Sequence, residues 1–562
     1  MAVWWNRVAV RGAGTIRSVR RRGGSALLWG EAIADETDDA LAARTVHDLF
    51  VAHEKGRAAS LLARHSGLFA WAFFANSGEV RVGGDMLGMF PIHFFQQGEH
   101  FGFSTSLRPL ACHPAYNRAI DPVGLMRCLI ENGGVGSRSL QQSGRRLPIC
   151  SALFYDSISR RLEVRQLDLP RLPADKVEDA EQGIARTIDG SRRAVHRLMR
   201  RKPDQLLLSG GLDSRHVLAL AYECGARPAC LTAGRPGDFE ALFARAVARK
   251  LKLEWHQSDD RVDTLEEDVR DEIRLSALAG GFSSVTMNGL SHMPDSYGHR
   301  WAGGLILDGH FKPTEDDVAA GELQSFDYLF THWINPFGVE IPMLKRFCRD
   351  NDQREALAEA LREIRNEWEQ CAFSGHDRLW WSLMRGRVRH HLGGHAWKGA
   401  FRAWPVLPGL DVRFFESVRG LGNGLFEGRR MQREAFARIS PSLAKIPLDS
   451  LIDRPQAIRP SLVWKLRMRG LRKARRNMTP LEMAERHRYV RCLNLDFPAW
   501  LEIRRLAEPH RNSLRQLFDP GVVDEVLLPR DAPYSPSDSI VSRQGGLRLL
   551  YGLMMWLGDD GG

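Results

Sequence analysis

Absences narrow this sequence first. None of its eight cysteines forms a Cys-x-x-Cys pair, so the spacing of a zinc site or a disulfide framework is missing. The thiols read as small buried hydrophobes. No apolar run reaches the length of a membrane span, and Met1-Ala2-Val3-Trp4-Trp5-Asn6-Arg7 lacks the apolar core of a signal peptide. A cytoplasmic location is the expectation. Acidic charge is in deficit, with 68 Asp and Glu against 79 Lys and Arg and a net charge of +11. Such a field suits an acidic peptide, a polysaccharide, a lipid surface or nucleic acid. Nucleic acid is disfavoured, because the basic run Lys465 to Arg476 carries apolar residues at 463, 466, 468 and 471. It reads as an amphipathic surface helix without basic–aromatic interleaving. With 562 residues, 43% hydrophobic and 26% charged, the chain is expected to be soluble, globular and divided into domains.

What is present is organised around Leu206-Leu207-Leu208-Ser209-Gly210-Gly211-Leu212-Asp213-Ser214-Arg215. Three leucines predict a short buried parallel strand. Ser-Gly-Gly predicts a tight turn, with Ser214 capping a helix continued by His216 to Ala221. Strand, turn and helix start together aim N–H groups and a positive dipole end at one point, which suits a pyrophosphate. Asp213 adds a carboxylate where a magnesium ion bridging phosphate oxygens would sit. A tight connection without a ligand is the plain alternative. Around the turn, a basic helix is expected at Asp189 to Arg201, a strand at Ala229 to Ala233, a helix at Phe239 to Leu251 and a strand starting at Glu254. This alternation implies a doubly wound parallel sheet with its ligand at the carboxyl ends of the strands.

The string Ser209–Ser214 resembles the pyrophosphate-binding loop of ATP pyrophosphatases, most closely that of the asparagine synthetase-like amide ligases. The Gly-x4-Gly-Lys-[Ser/Thr] phosphate loop is absent at that point. The resemblance implies ATP cleavage between the α and β phosphates, adenylation of a carboxylate and release of AMP when an amine attacks. It makes ATP and Mg2+ the expected ligands. Leu208, Ser209, Gly210, Gly211, Leu212, Asp213 and Ser214 would hold the nucleotide, and Leu231 and Thr232 would lie against the adenine. Gly303-Gly304-Leu305-Ile306-Leu307-Asp308 keeps the Gly-x-x-x-Asp spacing of a second family signature, so Gly304 marks a binding turn and Asp308 a second magnesium carboxylate. The glutamate that shapes the amine site in asparagine synthetases falls on Leu305, and Glu315, Asp316 or Asp317 are the alternative acidic ligands. Leu407-Pro408-Gly409-Leu410-Asp411-Val412-Arg413 and the helix from Arg430 to Pro441 also match the family. Its adenylate-stabilising lysine falls near Lys445 or Arg454.

Residues 1–180 read as β-rich, with strands at Ser25 to Trp29 and Leu68 to Phe74 and a helix near Thr45 to Glu54. Gly67 to Phe73 and Gly84 to Phe94 resemble the back half of the glutamine-hydrolysing domain of asparagine synthetases. An Ntn-hydrolase-like αββα arrangement of stacked sheets is thereby implied, followed by a PP-loop α/β domain with helical additions over 181–562. The family's nucleophilic cysteine is missing: position 2 is Ala2, and no cysteine precedes Cys112. Trp29 replaces the asparagine amide of the oxyanion site. A structural relic is the expectation, and a start codon placed elsewhere is the alternative.

These readings converge on an ATP-dependent amide-bond-forming ligase with Asp213, Asp308 and Lys445 as catalytic candidates. Its substrate would bear a carboxylate and an amine, both in one peptide in a lasso-peptide-cyclase or β-lactam-synthetase type of reaction. A precursor-processing protease would then be a partner. Asparagine synthase activity and a non-catalytic nucleotide-binding scaffold are the alternatives. His390-His391-Leu392-Gly393-Gly394-His395 reads as a core or surface histidine cluster, its glycines interrupting helical spacing. Gln544 to Leu557 is expected to be a final apolar helix.

Overall fold

The computed structural model describes residues 16–33, 47–52, 65–134, 136–167, 177, 179–259, 262–282, 285–288, 300–303, 325–371, 373, 375–421, 425–449, 457–474, 485–534 and 545–559. The N-terminal part is built on a six-stranded antiparallel sheet in the order β1-β2-β3-β4-β8-β9. Its strands are β1 (Ile16–Arg21), β2 (Gly24–Gly30), β3 (Phe69–Ala75), β4 (Glu79–Gly84), β8 (Ser151–Asp156) and β9 (Arg161–Gln166). A second sheet, β6-β5-β7, comprises β5 (His93–Gln97), β6 (His100–Ser104) and β7 (Arg145–Arg146). Alternation along each strand decides which face each residue serves. Leu27, Ala72, Val82 and Leu153 lie opposite one another across four strands and share a core with Ile92 and Phe94 at the second sheet. Their neighbours Leu28, Trp71 and Ala152 face the other way, onto Leu49 and Phe50 of the helical residues 47–52. Helix α1 (Pro122–Glu131) starts at Asp121, whose side chain accepts from the Gly124 N–H.

The second part carries a parallel sheet in the order β12-β11-β10-β13-β14. Its strands are β10 (Gln205–Leu207), β11 (Ala229–Ala233), β12 (Trp255–Ser258), β13 (Arg300–Ala302) and β14 (Trp404–Val406). The chain steps outward from β10 through β11 to β12, then returns to β10's other side with β13. The strand order therefore reverses between β10 and β13, which makes a crevice at their carboxyl ends. Helix α2 (Ala180–Met199) precedes β10 and is longer than the basic stretch suggested, because Asp179 caps it well upstream. Helix α3 (Leu212–Glu223) joins β10 to β11, and α4 (Phe239–Lys250) joins β11 to β12. Helix α5 (Leu265–Ser276) follows.

A helical layer completes the fold, including α6 (Asn351–Glu369), α7 (Gly393–Gly399), α8 (Val412–Val418), α9 (Arg430–Ile439), α10 (Leu462–Ala474) and α11 (Gly545–Gly558). Two expectations need correction here. Gly393 and Gly394 do not interrupt a helix: a π-helical stretch, Met384–Leu392, runs straight into α7. The glycines are used for close packing, since a Cβ on Gly393 would stand 2.6 Å from the Met89 sulfur. In α10, Val463 and Leu466 face solvent, at 73% and 55% exposure, together with Leu462. The inward face is instead Trp464, packed against the core, and Met468, buried within it. Helix α11 docks as expected, with Leu549, Leu550, Leu553 and Met554 buried beside Ile130, Phe282 and Trp500.

The two parts share one core rather than touching at a rim. Ile33, Leu68, Met86, Phe90 and Ile149 lie in the same buried cluster as Leu206, Val217 and Trp404. Trp29 packs edge-on against Phe90 at 4.9 Å and Trp397 at 5.3 Å between ring centroids. Gly30 beside it has φ +95, and a Cβ there would meet Trp404 at 2.6 Å and the Leu68 carbonyl oxygen at 2.4 Å. Gly30→Ala is therefore expected to cost about 2–4 kcal/mol, overpacking added to left-handed strain. Gly98→Ala, at φ +57 with nothing within 4 Å, should cost only about 1–2 kcal/mol. Urea unfolding of both variants checks the contrast.

Candidate functional site

The turn after β10 lies at the carboxyl end of the sheet's middle strand. Leu206 and Leu208 are buried. The Leu208 N–H donates to Leu231 O at 2.8 Å, and the Thr232 hydroxyl donates to Leu208 O at 2.7 Å. Thr232 also accepts from the Trp255 indole N–H at 3.0 Å. Its side chain is thus engaged in bracing the loop, while Leu231 beside it is half-buried.

Helix α3 begins three residues earlier than the sequence suggested. Gly211, not Ser214, is its N-cap. Ser214 sits in the first turn, and its hydroxyl accepts from the Ser209 N–H at 3.0 Å while touching the Ser209 hydroxyl at 2.9 Å. Ser209 Oγ in turn accepts from the Gly211 N–H at 3.1 Å. The two serines hold the turn in shape from inside. They leave the opening N–H groups of α3, which have no partner within the helix, to an incoming anion.

Gly210 is where the turn meets the C-terminal half of the protein. A Cβ there would stand 2.6 Å from the Asp449 Cβ and 2.9 Å from the Glu240 Cα, so no larger residue fits. The Gly210 carbonyl accepts from the Asp449 N–H at 2.8 Å and from Arg215 Nη2 at 2.8 Å. Arg215, fully buried, also donates to Ile446 O at 3.1 Å and Pro447 O at 2.7 Å. Burial pulls its pKa down to about 9, opposed by the nearby Asp449 carboxylate. Asp449 pairs with His487 at 3.0 Å. Further along the strand ends, the 234–238 loop is fixed by the buried Asp238–Arg491 pair at 2.8 and 2.7 Å and by Gln257 donating to Gly234 O at 2.6 Å.

Asp213 is partly exposed in the first turn of α3. Its Oδ1 accepts from Arg429 Nη2 and from Gln432 Nε2, each at 2.6 Å. Arg429, the N-cap of α9, reaches it from a left-handed backbone at φ +62 and also donates from Nε to Gln432 at 2.9 Å. Sequence reasoning missed both residues, which lie more than two hundred positions from Asp213. Lys445, the expected cation, is exposed at the end of the short 3-10 turn Leu443–Lys445. Gly304, Leu305, Asp308, Glu315, Asp316, Asp317 and Arg454 lie outside the described residues, as does Ala2. Asp308 follows β13, the strand that pairs with β10. Among the described residues no group of three or more His, Cys, Asp or Glu could hold a metal ion; in the 390–395 stretch His390 is buried and His391 and His395 are half-buried. Burial pushes Cys128, Cys150 and Cys230 up to about 12, so these thiols stay protonated.

The family model for asparagine synthase matches residues 191–286. This segment runs from within α2 through β10, the Ser209–Ser214 turn, α3, β11, α4, β12 and α5. No curated protein matches the chain. The segment that builds the site is therefore similar to an asparagine synthase domain.

Behind the turn, His216 of α3 is buried, with Nε2 3.2 Å from the Ser191 hydroxyl. Desolvation, then the Arg429 charge, lowers its pKa from 6.5 to about 4. Between those values the unfolded chain binds a proton that the folded chain refuses, so stability falls as pH drops through the window. His216 should account for about 2 kcal/mol of the loss between about pH 7 and about pH 4.5. Urea unfolding at both pH values should show His216→Asn losing correspondingly less than the wild type.

Proposed function

We propose that this chain is an ATP-dependent ligase that activates a carboxylate as its adenylate and joins it to an amine. The observation that carries the reading is the Ser209–Ser214 turn at the strand-order reversal, within the segment similar to an asparagine synthase domain. The residues fit such a nucleotide: Gly210 leaves room only for backbone, and the start of α3 offers N–H donors to phosphate oxygens. Ser209 to Ser214 would bind the pyrophosphate portion, with the Leu208, Leu231 and Thr232 edge near the base and Gly304 in a further binding turn. Asp213 and Asp308 would hold Mg2+, which supplies charge neutralisation of the phosphates.

A substrate carboxylate oxygen attacks the α-phosphorus, and the bond to the β-phosphate oxygen breaks to release pyrophosphate. The amine then attacks the acyl carbon, AMP leaves with the electron pair, and the amine's proton passes to solvent or a base. Two cations would answer the pyrophosphate charge: Arg429, already at Asp213, and Lys445, exposed beside the 446–449 segment that clamps the turn. Aligning both reactants on one surface is worth at most about 7–11 kcal/mol of barrier.

The amine is read as belonging to the substrate itself, as in a peptide macrolactam cyclase, with a precursor-processing protease as partner. Trp29, standing where the family places an amide donor, is packed among Phe90 and Trp397, which supports an N-terminal part without glutaminase chemistry. That weighs against glutamine-dependent asparagine synthase. A nucleotide-binding scaffold without turnover is the second reading, favoured by the Arg429 ion pair that already occupies Asp213.

Pyrophosphate release from Mg·ATP, assayed across a panel of peptides bearing both groups, tests the proposal. An active peptide should lose about a hundred- to thousandfold in turnover with Asp213→Asn, and glutamine should yield no glutamate. Binding of Mg·ATP with no pyrophosphate release from any peptide would favour the scaffold.

A further inference from the structure

Helix α10 (Leu462–Ala474) lies on the outside of the protein and turns to solvent a face that the fold leaves unused. It is held from beneath by Trp464, which meets the Phe243 ring of α4 edge-on at 5.9 Å, and by buried Met468 one turn further on. The helical period then sends Leu462, Leu466, Arg469 and Lys473 outward along one line, with Val463 and Arg467 along the next. Leu462, Val463 and Leu466 are 72%, 73% and 55% exposed. Among the described residues no other segment gathers three exposed large apolar side chains.

Cations frame this apolar patch without acids to answer them. Every charged residue from 454 to 481 is Lys or Arg. Arg459, just before the helix, has Glu434 at 3.3 Å. Within α10, Lys465, Arg469 and Lys473 are exposed and pair with no carboxylate among the described residues. Lys465 and Arg469 stand on one flank of the apolar patch. Arg467, its guanidinium over the Trp464 ring at 4.9 Å, stands on the other. A helix serving only the fold would carry polar residues or i,i+4 acid–base pairs on this face.

We infer that α10 docks the protein on an anionic membrane surface, its two leucines and valine entering the headgroup boundary while the flanking cations meet lipid phosphates and carboxylates. An apolar centre with basic flanks is what an interfacial helix requires, and each cation near the surface adds attraction to anionic lipid. Other occupants fit this face less well. A partner protein would have to cup a convex ridge, and lysines are depleted from protein interfaces. A nucleic-acid backbone would gain nothing from aliphatic side chains at the centre of the face. A fluid lipid surface needs no matching groove. No helix among the described residues is long and apolar enough to cross a membrane, and three aliphatic side chains with a few charges give reversible, peripheral association. The inference rests on α10 alone and stands whether or not the ligase reading does.

Flotation of the full chain with vesicles tests it, comparing phosphatidylcholine alone with phosphatidylcholine containing phosphatidylserine. The chain should float with the anionic vesicles, stay behind with the neutral ones, and be released as salt is raised. Leu462→Ser combined with Leu466→Ser keeps every charge and should weaken partitioning roughly tenfold or more. Lys465→Gln keeps the apolar patch and should weaken it about fivefold. All three side chains are exposed, so both variants should fold, which circular dichroism checks. Soluble poly-glutamate and a DNA duplex serve as competing anions. No binding to either vesicle, equal binding to both, or anionic-vesicle binding that the double leucine variant leaves unchanged would each overturn the assignment. Tighter binding of poly-glutamate or duplex DNA than of the anionic vesicles would overturn it in favour of an acidic protein or a nucleic acid.

Discussion

The buried guanidinium of Arg215 is the constraint on which the site depends. It gathers the carbonyls of Gly210, Ile446 and Pro447 around one charge. Removing such a group would take this donor from the Ile446 and Pro447 carbonyls, a cost of about 1–3 kcal/mol for each one left unsatisfied, while Gly210 O would keep the Asp449 N–H. Through this contact a turn formed early in the parallel sheet is held by a segment more than two hundred residues later. Asp449, which lies beyond the matched segment, owes its nearness to the turn to this clamp.

A second dependence runs through the N-terminal sheets. The Trp29, Phe90 and Trp397 cluster and the Gly30–Trp404 contact make these sheets one wall of the core they share with the parallel sheet. Their packing supports β14, which closes one edge of the sheet that presents the turn.

Local signals made much of this legible. Short apolar runs set between turn signals predicted β2 and β3, and the three leucines with Ser-Gly-Gly predicted the β10 turn. The apolar spacing after Asp238 predicted α4, which observed bounds match within one residue. What stayed hidden is long-range or conformational. Arg429 and Gln432 reach Asp213 from another helix, and Arg429 does so from a positive φ that an arginine does not advertise. The π-helical run 384–392 was invisible because the glycines that follow it, Gly393 and Gly394, look like interruptions, whereas Gly393 packs against Met89. The inward face of α10 was misread because Val463 and Leu466 are apolar yet exposed.

The strand order carries a consequence for biosynthesis. β10, β11 and β12 leave the ribosome in sequence and can pair at once, but β10's other edge must wait for β13. At roughly 5–20 residues per second that edge stays bare for on the order of ten seconds. Pairing of Arg300 with Trp404 across β13 and β14 waits longer still. A nascent half-sheet with a leucine-rich open edge is a natural client for a chaperone, and heterologous yield of this protein should depend on one being at hand during translation.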